Sequence, residues 1–322
     1  MSIELGGETI PPGEARWISV KVARDADRSP IALECYVVNG VEDGPVLLFQ
    51  GGIHGNEPVG GLAIRDFALD IKPSMLSGAI VALPVANPSA FRNKQRRSQV
   101  VHVGDADVNS NFPGSPDGPF PQQLAHELFS LAEERADVVV DAHSADEQVV
   151  MHTGFVYVPA TEDEAHRRAR KMASSTGMPH VVELPPEEID GFYVAELARV
   201  GIPAIMVETG GGATVFDWAY ERYMDSFYNV SYQVGALSGD TPTADQTFHD
   251  DLTFVFSREG GYVEIAVQGG DTVESGDRLG EITDLRGTTV ETFEAPCDAD
   301  ILAIRSFPSA CPGDMIVELA PI

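Results

Sequence analysis

The sequence predicts an α/β fold, a mixed, mainly parallel sheet with helices on both faces, followed by a small all-β unit. Three observations carry this expectation. Runs at 45–49, 79–85, 137–141 and 203–207 are almost continuously apolar, the mark of strands buried on both faces. Segments of helical spacing near 57–70, 120–135, 161–176, 191–200 and 216–235 alternate with them. After residue 240 helix formers give way to short β runs punctuated by Gly-Asp, placing a boundary near 240–252 and dividing the chain into 1–245 and 246–322.

Taken in order, Trp17 to Val22 alternates apolar and polar side chains and Ile31 to Val38 forms a second strand, together an antiparallel edge. Pro45 to Phe49 then runs into Gly51-Gly52-Ile53-His54-Gly55-Asn56-Glu57-Pro58, ahead of helical spacing from Val59. An imidazole and a carboxylate three residues apart therefore sit on a strand-to-helix turn, a metal-ligand spacing. The second buried strand runs into Asn87-Pro88 and the basic stretch Arg92-Asn93-Lys94-Gln95-Arg96-Arg97; the third into Ala142-His143; the fourth into Glu208-Thr209-Gly210-Gly211-Gly212. The reactive side chains thus gather at the carboxyl ends of the strands, where open α/β sheets bind ligands.

His54, Glu57 and His143 make a candidate zinc site, one ion per chain, with the fourth position open to water. Such an ion lowers the pKa of water to about 7 and polarises a carbonyl, which serves amide hydrolysis. Glu208 is the candidate general base, with three following glycines to let a substrate approach the backbone. Asp141, two residues before His143, is placed to orient that histidine. Arg92, Arg96 and Arg97 are candidates for gripping a carboxylate through guanidinium forks, and the Asn109 amide is a candidate donor. His102, His126, His152, His166, His180 and His249 show no ligand spacing and are given no role.

Fifty acidic against 21 basic residues give a formal charge of -29, which argues against nucleic acid or an anionic membrane as partner. Lysine occurs at 21, 72, 94 and 171 alone, so arginine carries most of the positive charge. Such a surface is expected of a halophilic source, because molar salt shortens the Debye length to about 3 Å and screens self-repulsion. Thermal stability rising steeply with added salt is the corresponding expectation; full stability in dilute buffer would contradict it. With no apolar run of membrane-span length and no leader-like start, the chain is expected to be cytoplasmic. Cys35, Cys297 and Cys311 form no disulfide or metal pattern.

Together, Gly51-Gly52-Ile53-His54-Gly55-Asn56-Glu57, Asn87-Pro88, an arginine ahead of Asp107-Val108-Asn109-Ser110-Asn111-Phe112-Pro113-Gly114, Asp141-Ala142-His143 and Val207-Glu208-Thr209-Gly210 resemble the succinylglutamate desuccinylase/aspartoacylase family. The resemblance covers about 45–215 in the family's order and implies a zinc carboxypeptidase-like fold. It also implies zinc held by His54, Glu57 and His143, catalysis by Glu208, and substrate binding by Asn109 and by Arg97 or Arg96. One position departs, since the family's asparagine is usually followed by arginine and here by Ser110. A lost guanidinium weakens the case for an N-acyl dicarboxylic substrate. The family also includes deacetylases of N-acetylated diamino acids formed during ectoine breakdown.

The segment 255–322 resembles, more weakly, the flattened barrel-sandwich of biotinyl and lipoyl domains, through Gly270 to Gly280, Ala295 to Leu302 and Gly313 to Ile316. Carrier domains need an attachment lysine and none follows Lys171, so that function is excluded. This unit is expected to shape the rim of the active site or to support a homo-oligomer. The leading reading is a zinc-dependent amide hydrolase acting on a small N-acyl amino acid. A metallocarboxypeptidase acting on peptide C-termini and a catalytically silent zinc-binding module are the alternatives.

Overall fold

A computed structural model describes residues 1–98, 105–241 and 245–322; His102 and residues 242–244 of the expected boundary lie outside the described residues. At the centre, Glu42–Gly51 lies between Ser77–Leu83 and Val138–His143, parallel to both, and Ala204–Gly211 continues the parallel order beyond Val138–His143. Side chains alternate across these strands with a period of two. Val46 and Leu48 join the apolar cluster that contains Leu124, Leu128 and Tyr193, whereas Leu47 and Phe49 join the one that contains Phe67, Met172 and Phe227. The helices Phe120–Arg135 and Tyr193–Arg199 therefore cover one face, and Pro58–Asp70, Glu164–Ser175 and Asp217–Gln233 the other, every end within three residues of its expected bound.

The sheet is mixed, but parallel pairing does not dominate it. Ala15–Arg24 and Pro30–Asn39 are joined by a short turn, which permits only an antiparallel pair, and they occupy the expected edge. On the other side Val149–Pro159, a strand not expected from the sequence, runs antiparallel to Ala204–Gly211. Its polar His152 and Thr153 and its Gly154, at φ +76°, interrupt the apolar pattern that would have marked it.

The C-terminal part is all β. Thr253–Phe256, Met315–Pro321 and Ala299–Arg305 extend the large sheet, the last pairing with Val149–Pro159 through Ile304 and Val150. Thr289–Glu294, Arg278–Thr283, Gly261–Ile265 and Ser309–Ala310 form a separate four-stranded antiparallel sheet. His180 and His249 meet Asp300 where the two parts join: His180 Nδ1 lies 3.1 Å from His249 Nε2, and each is 3.7 Å from Asp300 Oδ2. His249 Nδ1 donates to the Pro321 carbonyl at 3.2 Å, so its Nε2 accepts from His180. Hydrogen bonding accounts for this cluster as a clasp between the parts. No helix among the described residues is long and apolar enough to cross a membrane.

Candidate active site

Parallel pairing aligns the strand ends that carry the reactive residues, with Glu208 opposite His143 and Gly51 opposite Ala142. From Gly51 the chain turns sharply. Gly55 passes so close to the Pro88–Asn93 helix that a Cβ there would stand 2.0 Å from the Ala90 carbonyl carbon. Asn87 ties the same turn down, its amide donating to the Ile53 carbonyl at 3.1 Å and to Ser98 Oγ at 3.0 Å. Glu57 occupies the residue before the helix that Pro58 opens, yet its side chain makes no cap. It is turned inward to the histidines.

There the three candidate ligands converge, all buried. Glu57 Oε1 is 2.8 Å from His54 Nδ1, and Glu57 Oε2 is 3.1 Å from His143 Nδ1. The far nitrogen of each ring is occupied: His54 Nε2 donates to Asp107 Oδ1 and His143 Nε2 to Asp141 Oδ2, each at 3.0 Å. With those bonds in place a neutral ring would present its Nδ1 lone pair to the carboxylate, and among the described residues buried His54 Nδ1 has no hydrogen-bond partner. Lone pairs facing a carboxylate repel it unless a proton or a metal ion lies between them. Two imidazoles and a carboxylate, with the outer nitrogens fixed by carboxylates, are the donor set and outer support that suit a zinc ion. The residues fit the metal.

Asp107 lies in a turn-rich stretch of the sequence, and the fold brings its carboxylate against His54. Its Oδ1 also accepts from Asn109 N at 3.0 Å, and its Oδ2 from Arg96 Nε at 3.1 Å. Asp141 is similarly held, its Oδ1 accepting from Gln50 Nε2 at 3.2 Å. Without a metal, protons on the rings take its place: burial would raise both Glu57 and Asp107, but the adjacent histidines in their charged form, together with Arg96 for Asp107, hold both carboxyls well below the usual range.

A cavity of about 270 Å³ opens on this cluster, lined also by Arg96, Asn109, Asp146, Tyr157 and Glu208, and by Phe254, Met315 and Glu318 from the C-terminal part. Glu208 is buried and its Oε2 has no partner among the described residues. Burial pushes its carboxyl up to about 8; Glu57 and Glu318 add to that, while His143 and Arg96 oppose it. The glycines behind it hold the chain rather than admit a ligand. Gly210, Gly211 and Gly212 have φ of +89°, +138° and +64°, and a Cβ on Gly211 would meet the Val149 carbonyl oxygen at 2.2 Å. Asn109 Oδ1 accepts from Tyr193 N at 3.0 Å, and the residue lines the cavity.

Of Arg92, Arg96 and Arg97, Arg96 alone lines the cavity, its Nη1 donating to Glu57 Oε1 at 3.0 Å. Arg92 and Arg97 are exposed, as is Ser110. Spacing alone could not separate adjacent Arg96 and Arg97. Tyr157, Asp146 and Glu318 carried no signal in the sequence, because each reaches the cavity only through strand pairing or loop placement.

Residues 43–228 match the model of the succinylglutamate desuccinylase/aspartoacylase catalytic domain family. Among curated relatives, an N-alpha-acetyl-L-2,4-diaminobutyric acid deacetylase of Halomonas elongata is 26% identical over 290 residues, covering 87% of this chain and 83% of that one. A product-bound ectoine utilization protein of Ruegeria pomeroyi superposes with a TM-score of 0.86 at 22% identity, over 96% of this chain and 95% of that chain. A succinylglutamate desuccinylase/aspartoacylase of Rhodobacter sphaeroides gives a TM-score of 0.82 at 24% identity, over 96% and 95% of the two chains.

Proposed function

This chain belongs to the succinylglutamate desuccinylase/aspartoacylase family, and on that premise we propose that it is a zinc-dependent deacylase of small N-acyl amino acids. The observation that carries the reading is the convergence of His54 Nδ1, His143 Nδ1 and the Glu57 carboxylate beside the unpartnered Glu208 Oε2, in one cavity. His54, Glu57 and His143 would hold the ion, which when bound supplies Lewis acidity toward a carbonyl oxygen and toward water.

The chain's own groups do the rest. Glu208 takes a proton from the attacking water and returns it to the leaving nitrogen as the acyl carbon–nitrogen bond breaks, giving a carboxylic acid and a free amino acid. Arg96 and the Asn109 amide bind the carboxylate or carbonyl of the substrate, a role that falls to Arg96 over Arg97 on exposure. Asp107 and Asp141 keep both imidazoles in the tautomer that offers Nδ1. At about 270 Å³ the cavity lies below the usual range of drug-sized sites, which favours a compact metabolite over a peptide. The deacetylase activity named for the Halomonas elongata relative supports the same substrate size.

Product analysis over a panel of N-acetyl and N-succinyl amino acids and short peptides tests the reading. Release of acetate or succinate with the free amino acid is expected. Release of C-terminal residues from peptides, or metal binding without turnover of any member, would contradict it.

A further inference from the structure

The cavity has a second wall that the hydrolytic chemistry does not use. Glu318 lies on Met315–Pro321, the last strand, where its Cα pairs with Ala303 on one side and Phe254 on the other. It is 4% exposed and lines the same cavity as His54, His143 and Glu208. Among the described residues its one side-chain hydrogen bond is long, from Tyr157 Oη to Oε1 at 3.4 Å. Burying a carboxylate with a single weak donor is costly, and an ionised group in such a place ordinarily has a cation beside it. Burial accordingly pushes Glu318 up to about 7, against the lowering effect of Tyr157.

Charge around the cavity points the same way. Among the described residues Glu57, Asp146, Glu208 and Glu318 line it against Arg96 alone, and Arg96 is already bonded to Glu57 and Asp107. Even a divalent ion at the histidines leaves these side chains with a formal excess of negative charge. A substrate with a second carboxylate would meet Glu318 without a spare guanidinium, since Arg92, Arg97 and Ser110 face solvent. A substrate with an ammonium or similar cation on its side chain would complete the wall.

We propose that Glu318, delivered by the C-terminal strand and backed by Tyr157, is a specificity-determining residue that binds a cationic group on the amino-acid side chain of the substrate. The inference rests on the N-acyl amino acid deacylase reading and narrows it to N-acyl diamino acids over N-acyl dicarboxylic acids. It also gives the C-terminal β part a share in substrate selection.

Calorimetric binding of three free amino acids to the zinc-loaded protein tests this apart from turnover: 2,4-diaminobutyrate, its uncharged near-isostere norvaline, and glutamate. The parent is expected to bind 2,4-diaminobutyrate at least about tenfold tighter than norvaline, and glutamate weakest, the scale set by a buried charge pair. In Glu318→Gln the ratio of diaminobutyrate to norvaline affinity should collapse toward one, with partial recovery in Glu318→Asp. A merely structural role would lower both affinities together and leave the ratio unchanged, which overturns the proposal, as does a parent that prefers norvaline or glutamate. The N-acetyl derivatives of the same three, assayed for acetate release, separate the two claims. Turnover without preference for the cation removes the Glu318 role and keeps the deacylase; selective binding without turnover of any derivative does the reverse.

Discussion

Replacing Glu208 by glutamine is expected to lower kcat about a thousandfold, the middle of the range for a positioned general base, while metal content stays at the parent level. The Oε2 that loses its proton-accepting capacity is the one without a partner inside the cavity, so no structural hydrogen bond of that atom is removed. Stability should move the other way. Burial raises the folded-state carboxyl to about 8 from the ordinary 4.5, so between those values the unfolded chain is ionised while the folded one holds its proton. Stability from this group is therefore lost as pH climbs from 4.5 through 8, and glutamine, which does not titrate, should make the metal-free protein relatively more stable toward pH 8. A divalent cation at the histidines would draw the carboxyl below 8, which puts the acid limb of kcat/KM in the loaded enzyme below that value. Thermal melts and pH–rate profiles of parent and variant, side by side, check both signs. Equal kcat in the two proteins would remove Glu208 from the chemistry.

Asp107→Asn should weaken zinc affinity about 10- to 100-fold, as loss of a carboxylate behind a ligand histidine does. Asp107 accepts at once from His54 Nε2, Asn109 N and Arg96 Nε. An amide of the same shape has one acceptor oxygen for those donors and turns an NH2 toward the remainder. The tautomer that gives His54 a bare Nδ1 loses its support, and so does the placement of Asn109. Competition against a chelator of known affinity measures the shift; unchanged affinity would mean that the backbone turn alone orients His54. Asp141→Asn, behind His143, should behave alike.

The residues at the strand ends were legible in the sequence because each followed an uninterrupted apolar run, as His54 follows Val46 to Phe49 and Glu208 follows Ala204 to Val207. Parallel strands with both faces buried announce themselves by composition, and their carboxyl ends share one edge. The same logic could not find Val149–Pro159, whose Gly154 and polar residues break the run, and without that strand Tyr157 had no address. The antiparallel wings made the sheet less parallel than its centre suggested. Glu318 was illegible for a further reason: it lies far along the chain from the histidines it faces, and only the docking of the C-terminal strands brings it there. His180, His249 and Asp300 meet in the same way. Arg96 and Arg97 differ only in which way the turn after Asn93 throws each side chain, a matter of backbone path that residue type does not encode.

That His54, Glu57 and His143 together hold one metal ion is tested by the metal content of the purified protein against that of a His54→Ala, His143→Ala double variant, both prepared in high salt with circular dichroism confirming that each is folded. About one zinc per chain in the parent and almost none in the folded variant is the expected result. Equal metal in the two, or none in either after zinc is supplied, would contradict the site and the hydrolytic chemistry built on it.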